Sequence, residues 1–243
     1  MNRKVSFNAL AAILTQLSDE EQVVLVENGD YLKRIAGKLA VRAARNRFFV
    51  PLSDQDVPAG LAETANKWRK LAAELGYTGP VAWRVRAGFT LKVHAPKAGP
   101  CYKNFGDPQY WSLKNDEPTA NSLVFWVPRL VPKSMGKSVD EQMSILGDLQ
   151  ERFGLPAYHL SNYGSAALLA GLIFSHFKRT GERTPLKKLW ARTNTLGSYR
   201  GCCGCLSLGD FGEGGLSSGD DFFWGVGGYS GLGCFPLGVE LGS

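Results

Sequence analysis

The chain has 243 residues, of which 44% are hydrophobic, with a formal net charge of +6 and a mean hydropathy of −0.14. This composition predicts a folded protein with a substantial core and excludes disorder along the whole length. No run approaches the ~18 apolar residues that a membrane span needs, and the apolar start lacks a small-residue cleavage site, so we expect a cytoplasmic location by default. In that setting free thiols are expected for the five cysteines.

Residues 1–80 are predicted to form a helical N-terminal region. Apolar residues recur at helical spacing in three stretches, 7–17, 31–47 and 61–75, and Gly76 ends the third. The second helix carries a basic face of Arg34, Lys38, Arg42 and Arg45. That face suits phosphate groups, but a solvated face is favoured because no aromatic residues interleave with the charges.

Residues 81–243 are predicted to form a mixed α+β domain. Residues 81–94 alternate as a strand that is interrupted at Gly88, residues 96–118 form an irregular loop, and residues 122–127 form a short buried strand. The spacing of Ser138 and Glu141 predicts a capping box that opens a helix ending near Phe153. A second helix is expected over 165–179, and the final CFPLGVEL run is expected to be a buried strand.

The stretch from 197 to 234 has an unusually narrow alphabet. It contains 13 glycines in 38 positions and has no Lys, Gln, Met, Ala, Thr, Ile or Pro. Apolar residues recur within it, and Ser, Gly, Asp, Tyr and Phe fill the positions between them, as in antibody contact surfaces. A glycine-rich β region of tight turns that binds nothing fits the composition equally well.

Several blocks of the chain resemble the variable proteins of diversity-generating retroelements. These are GFTLKVHAPKAGPCYKN, SLVFWVPRL, HFKRTGER, LWARTNT and GCFPLGVEL. The resemblance implies a C-type-lectin-like domain with two helices, a small antiparallel sheet and long irregular loops. It also implies a variable region in which copying errors at adenines turn AAY codons into NNY codons. Only Glu213 and Trp224 within 197–234 fall outside the NNY alphabet. One departure is that Pro236 follows Phe235 where many relatives carry Gly-Phe-Arg.

The resemblance predicts a ligand-binding display protein whose partner is a changing protein or cell-surface molecule. The candidate contact positions are Ser198, Tyr199, Gly201, Cys202, Cys203, Gly204, Cys205, Ser207, Ser217, Ser218, Asp220, Asp221, Phe222, Phe223, Tyr229 and Ser230. Phe222, Phe223 and Tyr229 are expected to contribute most of the binding energy, because aromatic anchors dominate interfaces. The core of the same region is assigned to Leu208, Phe211, Leu216, Phe235 and Leu237.

Catalytic and metal chemistry are disfavoured. Cys202 and Cys205 form a CxxC pair, but a structural zinc site usually needs a second pair. Asp210, Asp220 and Asp221 lack a calcium-loop spacing, and the glycines near 212–215 lack the Lys and Ser/Thr of a phosphate loop. We therefore expect no cofactor and no enzyme activity. The alternative function is a nucleic-acid-binding protein that uses the basic N-terminal helix, with a structural tail.

Overall fold

The computed structural model describes residues 48–102, 105, 116–199, 202–221 and 230–241. The chain divides into two compact units, Met1–Arg47 and Phe48–Ser243, and the fold described below is that of the second. The helices expected over 7–17 and 31–47, together with the basic face at Arg34, lie outside the described residues. The third expected helix belongs to the second unit, so the unit begins about 30 residues before the predicted domain start at 81.

The first sheet contains four strands, β1 (Phe49–Pro51), β2 (Ala82–Val85), β3 (Ser122–Trp126) and β8 (Leu237–Leu241). They lie in the order β1-β2-β3-β8, and every pair is antiparallel. Side chains alternate across β3, so Val124 and Trp126 enter one hydrophobic core while Phe125 enters another. This sheet therefore separates the two cores of the unit.

Four helices surround the sheet in the described part of the chain. They are α1 (Ala62–Glu74), which follows a 3-10 turn at Ala59–Leu61, α2 (Leu91–Ala98), α3 (Val139–Phe153) and α4 (Ala166–Thr180). The predicted capping box is confirmed: the Glu141 N–H donates to Ser138 Oγ at 3.3 Å, and the Ser138 N–H donates to Glu141 Oε2 at 2.9 Å. Gly154 ends α3 in the left-handed conformation, as glycines commonly do after a helix.

The second sheet is built by the glycine-rich tail and has the order β6-β5-β4-β7. Its strands are β4 (Trp190–Tyr199), β5 (Cys202–Gly212), β6 (Gly215–Asp221) and β7 (Leu232–Gly233). The β4–β5 and β5–β6 pairs are antiparallel, and β7 returns parallel to β4. The α+β class predicted from the sequence is confirmed by these four helices and two small sheets of the described residues.

The strand predicted over 81–94 is only partly right, because its second half is helical. Strand β2 ends at Val85, and α2 begins at Leu91. Asp116 accepts hydrogen bonds from the Leu91 and Lys92 N–H groups, at 2.8 and 3.0 Å, and so satisfies free donors in the first turn of α2. The irregular loop predicted from Pro96 therefore starts later, after the end of this helix at Ala98.

Candidate ligand-binding surface

The candidate contact positions fall mostly on the strands of the second sheet. Backbone pairing sets Ser198 opposite Cys203, Tyr199 opposite Cys202, and Gly197 opposite Gly204. On the other side of β5, Asp220 is opposite Leu206 and Asp221 is opposite Cys205. The described part of the narrow-alphabet stretch is thus largely a paired sheet and not a flexible linker.

The core side of this sheet is tightly anchored. Leu206, Leu208, Phe211 and Leu216 are buried in the core that also contains α4. The Phe211 ring centroid lies 6.2 Å from that of Phe174 and 5.5 Å from that of Phe177, in the edge-to-face arrangement that aromatic pairs prefer. Phe235 and Leu237 are buried as well, so the predicted core assignment is confirmed.

Strand β4 is fixed to the start of α4 by the bulge between Arg192 and Leu196. The Ala166 N–H donates to Thr195 Oγ1 at 2.8 Å, and the Asn194 N–H donates to the Gly164 carbonyl at 2.9 Å. The Thr193 hydroxyl donates to the Leu206 carbonyl at 2.6 Å, which ties the bulge to β5. These bonds satisfy backbone groups that the bulge would otherwise leave unpaired.

Three of the expected contact residues are buried and do not belong to an exposed surface. Cys205 is 4% exposed, Ser207 is 5% exposed and Ser218 is 7% exposed. Ser218 is opposite Leu208 and therefore shares the core face of the sheet, while the Ser207 hydroxyl donates to the Gly219 carbonyl at 3.0 Å. A narrow residue alphabet does not report burial, because pairing register decides which face a side chain occupies.

Among the remaining candidates, the structure describes the exposure of two serine side chains. Ser217 is partly exposed and Ser230 is exposed. The expectations for the side chains of Ser198, Tyr199, Cys202, Cys203, Asp220 and Asp221, like those for Gly201, Gly204, Phe222, Phe223 and Tyr229, lie outside what the structure describes.

Two apolar residues at the edge of the tail were missed by the sequence reasoning. Leu196 is 50% exposed, although leucine is usually buried. Trp190 is only partly buried and lies against Gly209 and Gly219. Both residues precede the narrow-alphabet stretch. The sequence feature that could have pointed to Leu196 is its position directly before Gly197, where that stretch begins.

Two of the cysteine side chains that the structure describes, Cys101 and Cys234, are poor nucleophiles at neutral pH. Burial raises the pKa of Cys101 and of Cys234 to about 12, which keeps both protonated at neutral pH. Among the described residues, no group of three or more His, Cys, Asp and Glu side chains is placed to hold a metal ion.

The histidines are used within the fold. His94 Nδ1 accepts a hydrogen bond from the Thr90 N–H at 3.1 Å. The Thr90 hydroxyl oxygen also lies 3.1 Å from His94 Nδ1. His159 Nδ1 accepts from Trp68 Nε1 at 3.1 Å, and His159 Nε2 faces Glu240 Oε1 at 3.2 Å. His176 is fully buried, and burial lowers its pKa to about 4.

Comparison with known proteins found no family model, no curated protein and no solved structure that matches this chain. Within the described ranges, no helix is long and apolar enough to cross a membrane. The features that bear on function are therefore the geometry of the second sheet and the composition of the tail.

Proposed function

We propose that the chain is a ligand-binding display protein with a C-type-lectin-like fold, whose C-terminal variable region is diversified by a retroelement. The observation that carries the proposal is that the second sheet combines buried apolar residues with intervening positions of a narrow alphabet. Its apolar residues Leu206, Leu208, Phe211 and Leu216 are buried in the core. The positions between and beyond them draw on the narrow alphabet expected of randomised NNY codons.

A paired sheet suits this task for an energetic reason. Ordering a flexible loop when a ligand binds costs conformational entropy, whereas a backbone that is already hydrogen-bonded to its neighbours loses little. Strands β4, β5 and β6 are paired along most of their length, and the bulge of β4 is bonded to α4. Side chains can therefore change at accessible positions while the backbone keeps its course.

Thirteen candidate contacts remain once the buried Cys205, Ser207 and Ser218 are removed. They are Ser198, Tyr199, Cys202, Cys203, Ser217, Asp220, Asp221 and Ser230, together with Gly201, Gly204, Phe222, Phe223 and Tyr229. The class of partner that fits such a surface is a protein or another large cell-surface molecule, because the positions spread over several strands instead of enclosing a small cavity.

A display experiment tests the proposal without knowledge of the natural ligand. One library randomises Ser198, Tyr199, Cys202, Cys203, Ser217 and Ser230 with NNY codons in the full chain. A control library randomises six exposed positions elsewhere, Ala62, Lys70, Ser144, Asp148, Glu151 and Ala157. Both libraries are displayed on yeast and selected against lysozyme and against streptavidin.

We expect specific binders from the tail library and few or none from the control library at the same display level. A tail library that displays well but yields no more binders than the control would overturn the display function. The retroelement part has its own test in the DNA that surrounds the gene. A near-copy of codons 197–238 is expected there, differing only where the copy carries adenine, and differences scattered over all bases would contradict this origin.

A further inference from the structure

Two glycines of the variable stretch form a seat for the indole of Trp190. A Cβ atom added to Gly219 would lie 2.9 Å from Trp190 Cζ3 and 3.2 Å from Cη2. A Cβ atom added to Gly209 would lie 2.6 Å from Trp190 Cδ2. Such distances are below van der Waals contact, so the indole lies where any other residue at these two positions would place its side chain.

The seat spans three strands. Trp190 of β4 is opposite Gly209 of β5, and Gly219 of β6 is opposite Ser207 of β5. The indole therefore reaches from β4 across β5 to β6 on the face opposite Leu208. A slip of one residue in the pairing of β6 would replace Gly219 under the indole with Ser218 or with residue 220, both of which carry a Cβ.

We propose that Trp190 is a positioning residue of the display surface: its indole, seated on Gly209 and Gly219, fixes the register of β4, β5 and β6. This inference rests on the proposed function. It divides the glycines of the tail into two kinds, because Gly209 and Gly219 must stay constant in every variant that folds. Trp190 is partly exposed, so the same indole also offers every variant an apolar contact beside the changing positions.

A double-mutant cycle separates the indole from the rest of the environment. Gly219→Ala places its methyl group mainly against the Trp190 side chain, whereas Gly209→Ala also meets the Leu189 carbonyl oxygen at 2.4 Å and Trp190 Cα at 2.8 Å. Trp190→Leu removes the indole but leaves those backbone atoms in place. The two glycine variants are therefore a matched pair with different expected rescue.

We expect each glycine variant to lower the Tm of the full chain by roughly 3–10 °C, the range for overpacking in a domain of this size. Combining Gly219→Ala with Trp190→Leu is expected to recover part of the loss, so that the double variant unfolds at a higher Tm than the sum of the single effects predicts. Combining Gly209→Ala with Trp190→Leu is expected to recover less, because the contacts with the Leu189 carbonyl oxygen and Trp190 Cα remain after the indole is removed. A Gly219→Ala variant that is harmless, or that gains nothing from Trp190→Leu, would overturn the inference. Trp190→Phe replaces Trp190→Leu in the cycle if the leucine variant does not fold.

Binding supplies the readout that a purely structural role would not move. The tail library is rebuilt on Trp190→Leu and on Trp190→Phe and is selected at a display level equal to that of the parent library. We expect the number of binders to fall at least tenfold for leucine and to recover in part for phenylalanine; unchanged numbers would show that Trp190 does not position the surface. A parent library without binders would instead refute the proposed function, while the thermal cycle still decides whether the indole sets the register.

Discussion

The division between framework and display positions can be tested with one residue type on one sheet. Leu208 lies in β5 and is 0% exposed, whereas Leu196 lies in β4, directly after the bulge, and is 50% exposed. Both residues are leucines of the β4–β5 pair, so each change to alanine removes the same three carbons. Intrinsic strand preference is therefore matched, and burial is the main difference.

The expected losses follow from that burial. At about 0.8 kcal/mol per buried carbon, Leu208→Ala loses roughly 2.4 kcal/mol of transfer free energy, and the remaining cavity brings the total to roughly 3–5 kcal/mol. Leu196→Ala leaves no cavity and loses about half of the transfer contribution or less, roughly 1 kcal/mol. In a domain of this size 1 kcal/mol corresponds to about 2–4 °C in Tm. We thus expect Leu208→Ala to lower the Tm by roughly 10 °C and Leu196→Ala by roughly 3 °C.

Thermal unfolding of the full chain, followed by circular dichroism, measures both values, and urea unfolding gives the corresponding free energies. The simultaneous replacement of Ser198, Tyr199, Ser217 and Ser230 by alanine is expected to change the Tm by no more than Leu196→Ala does. If the surface set and Leu208→Ala destabilised the protein equally, the tail would be a single packed unit. The reasoning that separates framework from display positions would then be wrong.

Three further predictions concern the scaffold. Burial and then the nearby Arg179 and Arg129 lower the pKa of His176 to about 4, while Glu182 opposes the shift. The stability that the neutral imidazole contributes, roughly 3 kcal/mol, is complete above pH 6.5 and is lost as the pH falls through 4. A His176→Leu variant should therefore lose less stability than the parent between pH 7 and pH 4 in urea titrations. Ser138→Ala should cost about 1 kcal/mol because it removes the cap of α3, whereas the exposed Ser144→Ala in the same helix should be neutral or slightly stabilising; equal losses would mean that the cap contributes nothing. Gly147→Ala should raise stability by about 0.5–1 kcal/mol because nothing lies within 4 Å of the added carbon, and Gly154→Ala, at a φ of +59°, should lower it by about 1 kcal/mol, so a shared sign would contradict the backbone argument.

Local signals in the sequence predicted a good part of this fold. The capping box at Ser138, the helices α1, α3 and α4, and the strand β3 all depend on residues within a few positions of one another. Helix α2 could not be predicted in this way because its cap, Asp116, lies 25 residues beyond Leu91. The alternating pattern of residues 91–94 indicates a strand, but hydrogen bonds to the distant Asp116 carboxylate stabilise a helix there instead.

The candidate surface shows the same limit. The apolar anchors of the tail were predictable because leucine and phenylalanine recur in an otherwise small and polar stretch. The burial of Cys205, Ser207 and Ser218 was not predictable, since it follows from strand register and from the bulge after Arg192. The seat of Trp190 could not be inferred either, because the tryptophan precedes both glycines of its seat and meets them only through pairing.

The contact between residues 100–102 and strand β6 covers the start of one edge of the second sheet. β6 is an edge strand, and the Tyr102 N–H donates to the Leu216 carbonyl at 2.9 Å while the Leu216 N–H donates to the Pro100 carbonyl at 2.8 Å. Gly215 allows this approach, since a Cβ there would lie 2.6 Å from Pro100 backbone atoms. A bare sheet edge that carries valine, isoleucine or phenylalanine is a template for self-association, and under the proposed display function random NNY codons would introduce these residues. Residues 100–102 already pair with the start of that edge and so leave less of it open to a second molecule.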